Sequence, residues 1–138
     1  MKTSRDYRNN NPLNIRHSVD VFQGEIKGND KSFKTFSSMP YGYRAGFAIL
    51  HTYLTKYGCN TIEKIIARFA PPIENDTAAY IRAVVKYSGV AADEVLTATS
   101  GDKYILIVSA MSAVENGINA DINQIKAGFA LQNKITMK

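Results

Sequence analysis

The residue in this chain best placed for acid–base chemistry is Glu115. From Tyr104 to Val114 the sequence carries no charged side chain, and it then delivers Glu115, followed by Asn116 and the helix-ending Gly117. On a helix, steps of three and four put Tyr104, Val108 and Met111 on the face of Glu115, and side chains so apolar predict a buried face. A carboxylate there meets two penalties, because burial disfavours its charge and the helix C-terminus already carries partial negative charge. Both favour the neutral acid, and a glutamic acid kept protonated near neutral pH is the general acid that glycoside cleavage needs. The same arithmetic also allows a solvent-facing glutamate on a frayed last turn.

A second carboxylate could come from Glu25 or Asp30, which stand in a polar stretch broken by Gly24 and Gly28. Two carboxylates flanking a glycosidic bond support retention or inversion according to their separation, although each also reads as a solvated hairpin residue. The remaining acids have plainer readings: Glu63 as part of a capping box, Asp102 and Asp121 in first helical turns, Asp93 and Glu94 in an exposed turn. RNNNPLNIR, Arg8 to Arg16, concentrates side-chain amide at Asn10, Asn11 and Asn14. It reads as a run of turns, a loose leader, or the wall of a site that hydrogen-bonds a polar ligand. In APPIENDTAAY, the groups of Glu74, Asn75 and Asp76 suit sugar hydroxyls and the ring of Tyr80 suits a sugar face, while the same residues serve to start a helix after a rigid proline step.

Other chemistries find no foothold. His17 and His51 lack an acidic or cysteine partner at ligand spacing, so no metal site is expected. No serine elbow, phosphate-loop lysine motif or dinucleotide glycine fingerprint occurs, and no cofactor is expected. Cys59 is the sole cysteine, which rules out an internal disulfide and predicts a buried thiol.

These residues need elements to position them. SVDVFQGEIKGNDKSFKTF predicts a short β-hairpin over about 18–27 and 31–36, turning at Gly28-Asn29-Asp30. A helix over about 40–57 follows, with Ser38 as N-cap, Pro40 in its first turn and Gly58 after its end. NTIEKIIARF predicts a second helix, with Asn60 and Glu63 as a capping box, halted by Pro71 and Pro72. A third is capped by Asn75 or Asp76 and stopped at Gly89; AADEVL makes a single turn. The helix over about 101–115 is apolar enough to be central, with the others around it, and INADINQIKAGFALQN closes the chain as an amphipathic helix. The expectation is one mainly α domain over 1–138, α+β in class through its small hairpin.

Composition bounds the partners. A hydrophobic fraction of 45% beside 21% charged residues is ordinary for a globular chain. Seventeen Lys and Arg against twelve Asp and Glu give +5, which favours a polyanion such as nucleic acid, a bacterial envelope or an acidic lipid surface. The apolar runs are too short for a membrane helix, and MKTSRDYRNNN has no apolar core behind its charge, so neither membrane insertion nor a secretory signal is expected.

Taken together, RNNNPLNIR, the Phe22-Gln23-Gly24 step, FKTFSSMPYGYRA, YGCNTIEKIIARFAPPIENDTAAYI and a late helix ending VENG resemble a family of small phage and prophage proteins, often virion components, that is similar to lysozyme-like peptidoglycan-cleaving enzymes and lytic transglycosylases. Relatives of that kind commonly carry a glycine where Leu13 stands and a tryptophan where Phe22 stands; both positions bear on substrate contacts. The order NNNPLNIR, FQG, FKTFSS is also similar to the segment that follows the catalytic glutamate in flagellar-type and autolysin-type glucosaminidases. Here the apolar helix ending in Glu115 comes last, as in a circular permutation, which nearby termini make feasible.

The resemblance implies a lysozyme-like domain that cuts the MurNAc–GlcNAc backbone of peptidoglycan, with Glu115 as acid and then base. It also implies Asn10, Asn11, Asn14 and Phe22 lining the same cleft, and a place in the virion or the host cytoplasm, with delivery to the periplasm or wall by another system. Bacterial peptidoglycan is the expected partner and virion components are further candidates. A non-catalytic virion or wall-binding protein on the same fold is the alternative. Nucleic-acid binding through a helix-turn-helix at Tyr57-Gly58-Cys59-Asn60 is a third reading, weakened by a second helix that offers only Lys64 and Arg68.

Overall fold

Pro40, with no N–H to leave unsatisfied, opens the longest helix, and Gly58 in the left-handed region closes it. The computed structural model describes residues 8–117 and 120–137. Among these residues a two-stranded antiparallel hairpin, β1 (Glu25–Ile26) against β2 (Thr35–Phe36), precedes five helices: α1 (Met39–Tyr57), α2 (Ile62–Phe69), α3 (Thr77–Ser88), α4 (Gly101–Asn116) and α5 (Ile122–Leu131). The protein is mainly helical with a small hairpin near its N-terminus. Two expectations, the absence of a leader in the first seven residues and the start of the last helical segment at Ile118 and Asn119, fall outside the described residues.

The hairpin is shorter than its sequence suggests. Its ladder holds only Glu25 opposite Phe36 and Ile26 opposite Thr35, with a lone bridge from Arg16 to Phe33. The segment expected to extend the first strand turns outward instead, leaving Val19 97% and Val21 80% exposed. A buried lysine holds it from behind: Lys34 Nζ donates to the Asp20 carbonyl at 2.8 Å and more weakly to that of Ser18 at 3.4 Å.

Caps set the helix starts, with one change from expectation. Thr61, rather than Asn60, caps α2, its hydroxyl accepting from the Lys64 N–H at 3.3 Å. Glu63 therefore falls one place too early for a capping box. Asp76 caps α3 by accepting from the Ala79 N–H at 3.0 Å, and Asp121 caps α5 in the same manner. Ser38 sits at the N-cap of α1 without a side-chain bond to the first turn. AADEVL forms turns without a helix.

Two helix pairs build the core. α5 lies along α1, α4 lies along α3, and α4 also touches α1 and α5, while α2 packs on α3. So α4 joins the two pairs rather than being ringed by all the others, and Leu106 on its outer side is 45% exposed. Its inner face is as apolar as its sequence requires: Tyr104, Ile107, Val108 and Met111 are completely buried, and they meet a core that includes Phe47, Leu50, Ile62, Ile65, Ile66, Val84 and Ile125. Each such side chain contributes about 1.5–3 kcal/mol by leaving water, so the end of α4, and Glu115 with it, is rigidly placed. Cys59 is a buried free thiol.

Candidate functional site

The asparagine cluster is a tightly wired loop. Asn10 and Asn14 both hold φ +51°, a left-handed conformation that asparagine tolerates better than most side chains. Asn11 is fully buried: its Oδ1 accepts from the Ile15 N–H, and its Nδ2 donates to the carbonyls of Ile15 and Lys34, all at 2.9 Å. Asn10 Nδ2 donates to the Phe36 carbonyl at 3.1 Å and Asn9 Nδ2 to Asp30 Oδ2 at 3.1 Å. These amides stitch the loop to the hairpin.

Helix α1 accepts the loop where it lacks side chains. A Cβ on Gly42 would stand 2.1 Å from the Asn10 carbonyl oxygen, and one on Gly46 would stand 2.6 Å from Leu13 Cδ1. Spaced four apart, the two glycines lie on one face of α1 and form a trough for Asn10 to Leu13. Leu13 is 1% exposed there.

Docked in this way, the loop delivers Asn14 to Glu115. Asn14 Nδ2 donates to Glu115 Oε1 at 2.9 Å, and Tyr80 Oη, arriving from α3, donates to Oε2 at 2.9 Å. Three distant parts of the chain thus converge on one carboxylate. Burial, the Glu115 charge and this hydrogen bond all raise the Tyr80 pKa well above the ordinary phenol value, so the hydroxyl stays protonated as a donor. The Asn14 Oδ1 is buried and has no hydrogen-bond partner among the described residues.

A groove of about 450 Å³ runs over this carboxylate. It is lined by the 13–18 segment, which includes Asn14, by Asp20, Phe22 and Phe33, by Ile49 and Tyr53 of α1, by Phe69 at the end of α2, by Glu74 and Asn75, and by Glu115. Aromatic rings, amides and carboxylates lining an open groove suit a chain of sugars better than a compact apolar ligand.

A comparison with known proteins places the chain. Protein P5 of Pseudoalteromonas phage PM2 is 41% identical to it over 133 residues, an alignment covering 93% of this chain and 81% of that protein. The chain belongs to the Protein P5 family. No family model matches it.

Of the residues singled out from sequence, Glu115, Asn14, Phe22, Glu74 and Asn75 line the groove. The structure places the others elsewhere. Asn10 and Asn11 are scaffold, their amides spent on backbone groups. Asp76 caps α3 rather than facing the groove. Tyr80 is 8% exposed, so its ring is no platform for a sugar and its hydroxyl instead holds Glu115.

Neither hairpin carboxylate lines the groove. Glu25 is drawn to Lys34, each of its oxygens lying 3.0 Å from Nζ, while its Oε1 also accepts from the Phe22 N–H at 3.1 Å. Asp30 binds Asn9 and the backbone N–H groups of Ser32 and Phe33, beside a separate depression that includes Arg8 and Lys31. The carboxylates that do accompany Glu115 on the groove are Asp20 and Glu74. Asp20 was not singled out from sequence, because nothing in its spacing separates it from a solvated loop acid. Tyr53 also lines the groove, and its helical spacing alone describes a residue on the apolar side of α1.

Proposed function

We propose that this protein cleaves the MurNAc–GlcNAc backbone of bacterial peptidoglycan, as a phage-type glycosidase or lytic transglycosylase with a lysozyme-like site. The observation that carries this reading is the Glu115 carboxylate, gripped by Asn14 and Tyr80 on the floor of an aromatic-lined groove. In this mechanism Glu115 acts in its protonated form, giving that proton to the glycosidic oxygen as the bond to C1 breaks, and Asn14 and Tyr80 stabilise the carboxylate left behind. It then takes a proton from the nucleophile that attacks C1. In the transglycosylase route the nucleophile is the sugar's own C6 hydroxyl, which closes a 1,6-anhydro ring; in the hydrolytic route it is water.

The anhydro route needs no second carboxylate; with Glu25 tied to Lys34 and Asp30 to the loop beside Asn9, hydrolysis would have to draw on Asp20 or Glu74, which line the groove with Glu115. Local cost also marks a site: the buried Asn14 Oδ1, without a hydrogen-bond partner among the described residues, is the kind of expense, about 1–3 kcal/mol, that folds tolerate where a site requires it. A phage relative suits delivery to the wall from a virion or a lysis system. The test is digestion of purified walls with the wild type and with Glu115→Gln, followed by mass analysis of the released muropeptides. Release by the wild type, lost in Glu115→Gln, is expected, whereas release by both would remove Glu115 from the chemistry.

One observation favours a non-catalytic wall-binding virion protein: both Glu115 oxygens already accept protein donors. In that case the wild type would sediment with walls and release nothing.

A further inference from the structure

The groove does not end at Glu115. A second compartment, about 730 Å³, shares Asp20, Phe22, Ile49 and Tyr53 with the first and continues along α1 and α2 past Lys56, Tyr57 and Arg68. Its chemistry differs from that of the first. The Arg68 guanidinium lies 3.4 Å from the centroid of the Tyr57 ring and 5.4 Å from that of Tyr53, and Lys56 Nζ lies 5.5 Å from the Tyr57 centroid. Neither cation forms an ion pair among the described residues. Lys64, the other cation of α2, turns instead to Asn60 at 3.4 Å.

A guanidinium held against aromatic rings is pre-organised, and its planar fork matches a carboxylate. From this we propose that the Lys56–Arg68 compartment binds the carboxylates of the acidic peptide carried by the wall glycan, so that the protein prefers peptide-bearing strands to bare ones. The inference rests on the glycan reading of the groove. The two compartments are continuous through Asp20, Phe22, Ile49 and Tyr53, so one branched ligand can reach both. A polyphosphate is the poorer occupant, because two cations give its closely spaced charges little counter-charge, whereas a single peptide carboxylate can be matched by Arg68 and Lys56.

The experiment is calorimetric titration of the Glu115→Gln protein with two soluble ligands: glycan strands carrying their peptides, and the same strands after amidase has removed the peptides. Peptide-bearing strands are expected to bind about tenfold more tightly, a difference typical of one good charge-assisted contact, and the preference should shrink with added salt. Arg68→Gln and Lys56→Ala, each introduced into the Glu115→Gln protein and checked for folding by circular dichroism, should each remove most of that preference while leaving the affinity for bare strands unchanged. Equal affinity of the parent for both strands overturns the proposal, as does a preference that survives both substitutions. Salt-sensitive binding of duplex DNA abolished by the same substitutions would reassign the compartment to phosphate. A wild type that cuts no wall while its Glu115→Gln form keeps the peptide preference would instead sink the enzymatic reading and leave this one standing.

Discussion

Glu115 derives its character from two partners that sequence spacing cannot pair with it. The end of an apolar helix marks the glutamate, and steps of three and four identify the buried face it shares with Tyr104, Val108 and Met111. That much was legible. The Tyr80 contact was not, because a tyrosine on the buried side of α3 reads equally as core or as ligand platform until its hydroxyl is seen 2.9 Å from Oε2. Tyr80→Phe should cost about 1–3 kcal/mol by leaving a part-buried carboxylate one donor short, and should lower kcat more than it raises KM if the hydroxyl holds the carboxylate in its working orientation; thermal melts and wall-digestion kinetics check both. Alkaline pH offers a separate test. Tyr80 and Tyr104 have pKa values raised by burial, the latter to about 12. The folded protein therefore keeps protons that the unfolded chain releases, so this part of the stability is complete below pH 10 and declines as pH rises toward the folded values. The melting temperature should fall between pH 10 and pH 12, and tyrosinate absorbance should lag behind that of the denatured chain. Coincident titration curves for the two states would contradict the burial of these phenols.

At the scale of elements, the loop and α1 were each legible and their union was not. Breakers and caps give α1, α3 and α4 almost to the residue, because Pro40, Gly58, Asp76, Gly89 and Gly117 act locally. The trough made by Gly42 and Gly46 is a tertiary feature, and in sequence these glycines look like weak points of a helix. Gly42→Ala should destabilise the protein by about 1–3 kcal/mol through overpacking and should reduce wall cleavage by displacing Asn14, although it lies outside the groove lining. An unchanged melting point would mean that the loop does not seat on α1. The hairpin was over-extended from sequence for a related reason: alternation cannot reveal that Lys34 is buried and pins the 18–20 backbone. Lys34→Met leaves the part-buried Glu25 carboxylate without its cation and should cost about 1–3 kcal/mol, while Lys34→Met with Glu25→Leu should recover much of that loss. Denaturant melts of the two variants compare them directly.

At the scale of the whole molecule, the fold brings a loop near the start of the chain, α3 and the end of α4 to one carboxylate, and the net charge of +5 suits a polyanion, of which the proposed wall is one. Association with walls should weaken as salt is raised, measured by sedimentation with purified peptidoglycan. The central claim is that the carboxylate held by Asn14 and Tyr80 performs glycan cleavage, and muropeptide analysis tests it most directly. Wild-type protein should release fragments ending in 1,6-anhydro sugars, and Glu115→Gln should lower that release by a factor on the order of 10²–10⁴. A purified, folded wild type that releases nothing from several wall types, or a Glu115→Gln protein that cuts as fast as the wild type, would contradict the account.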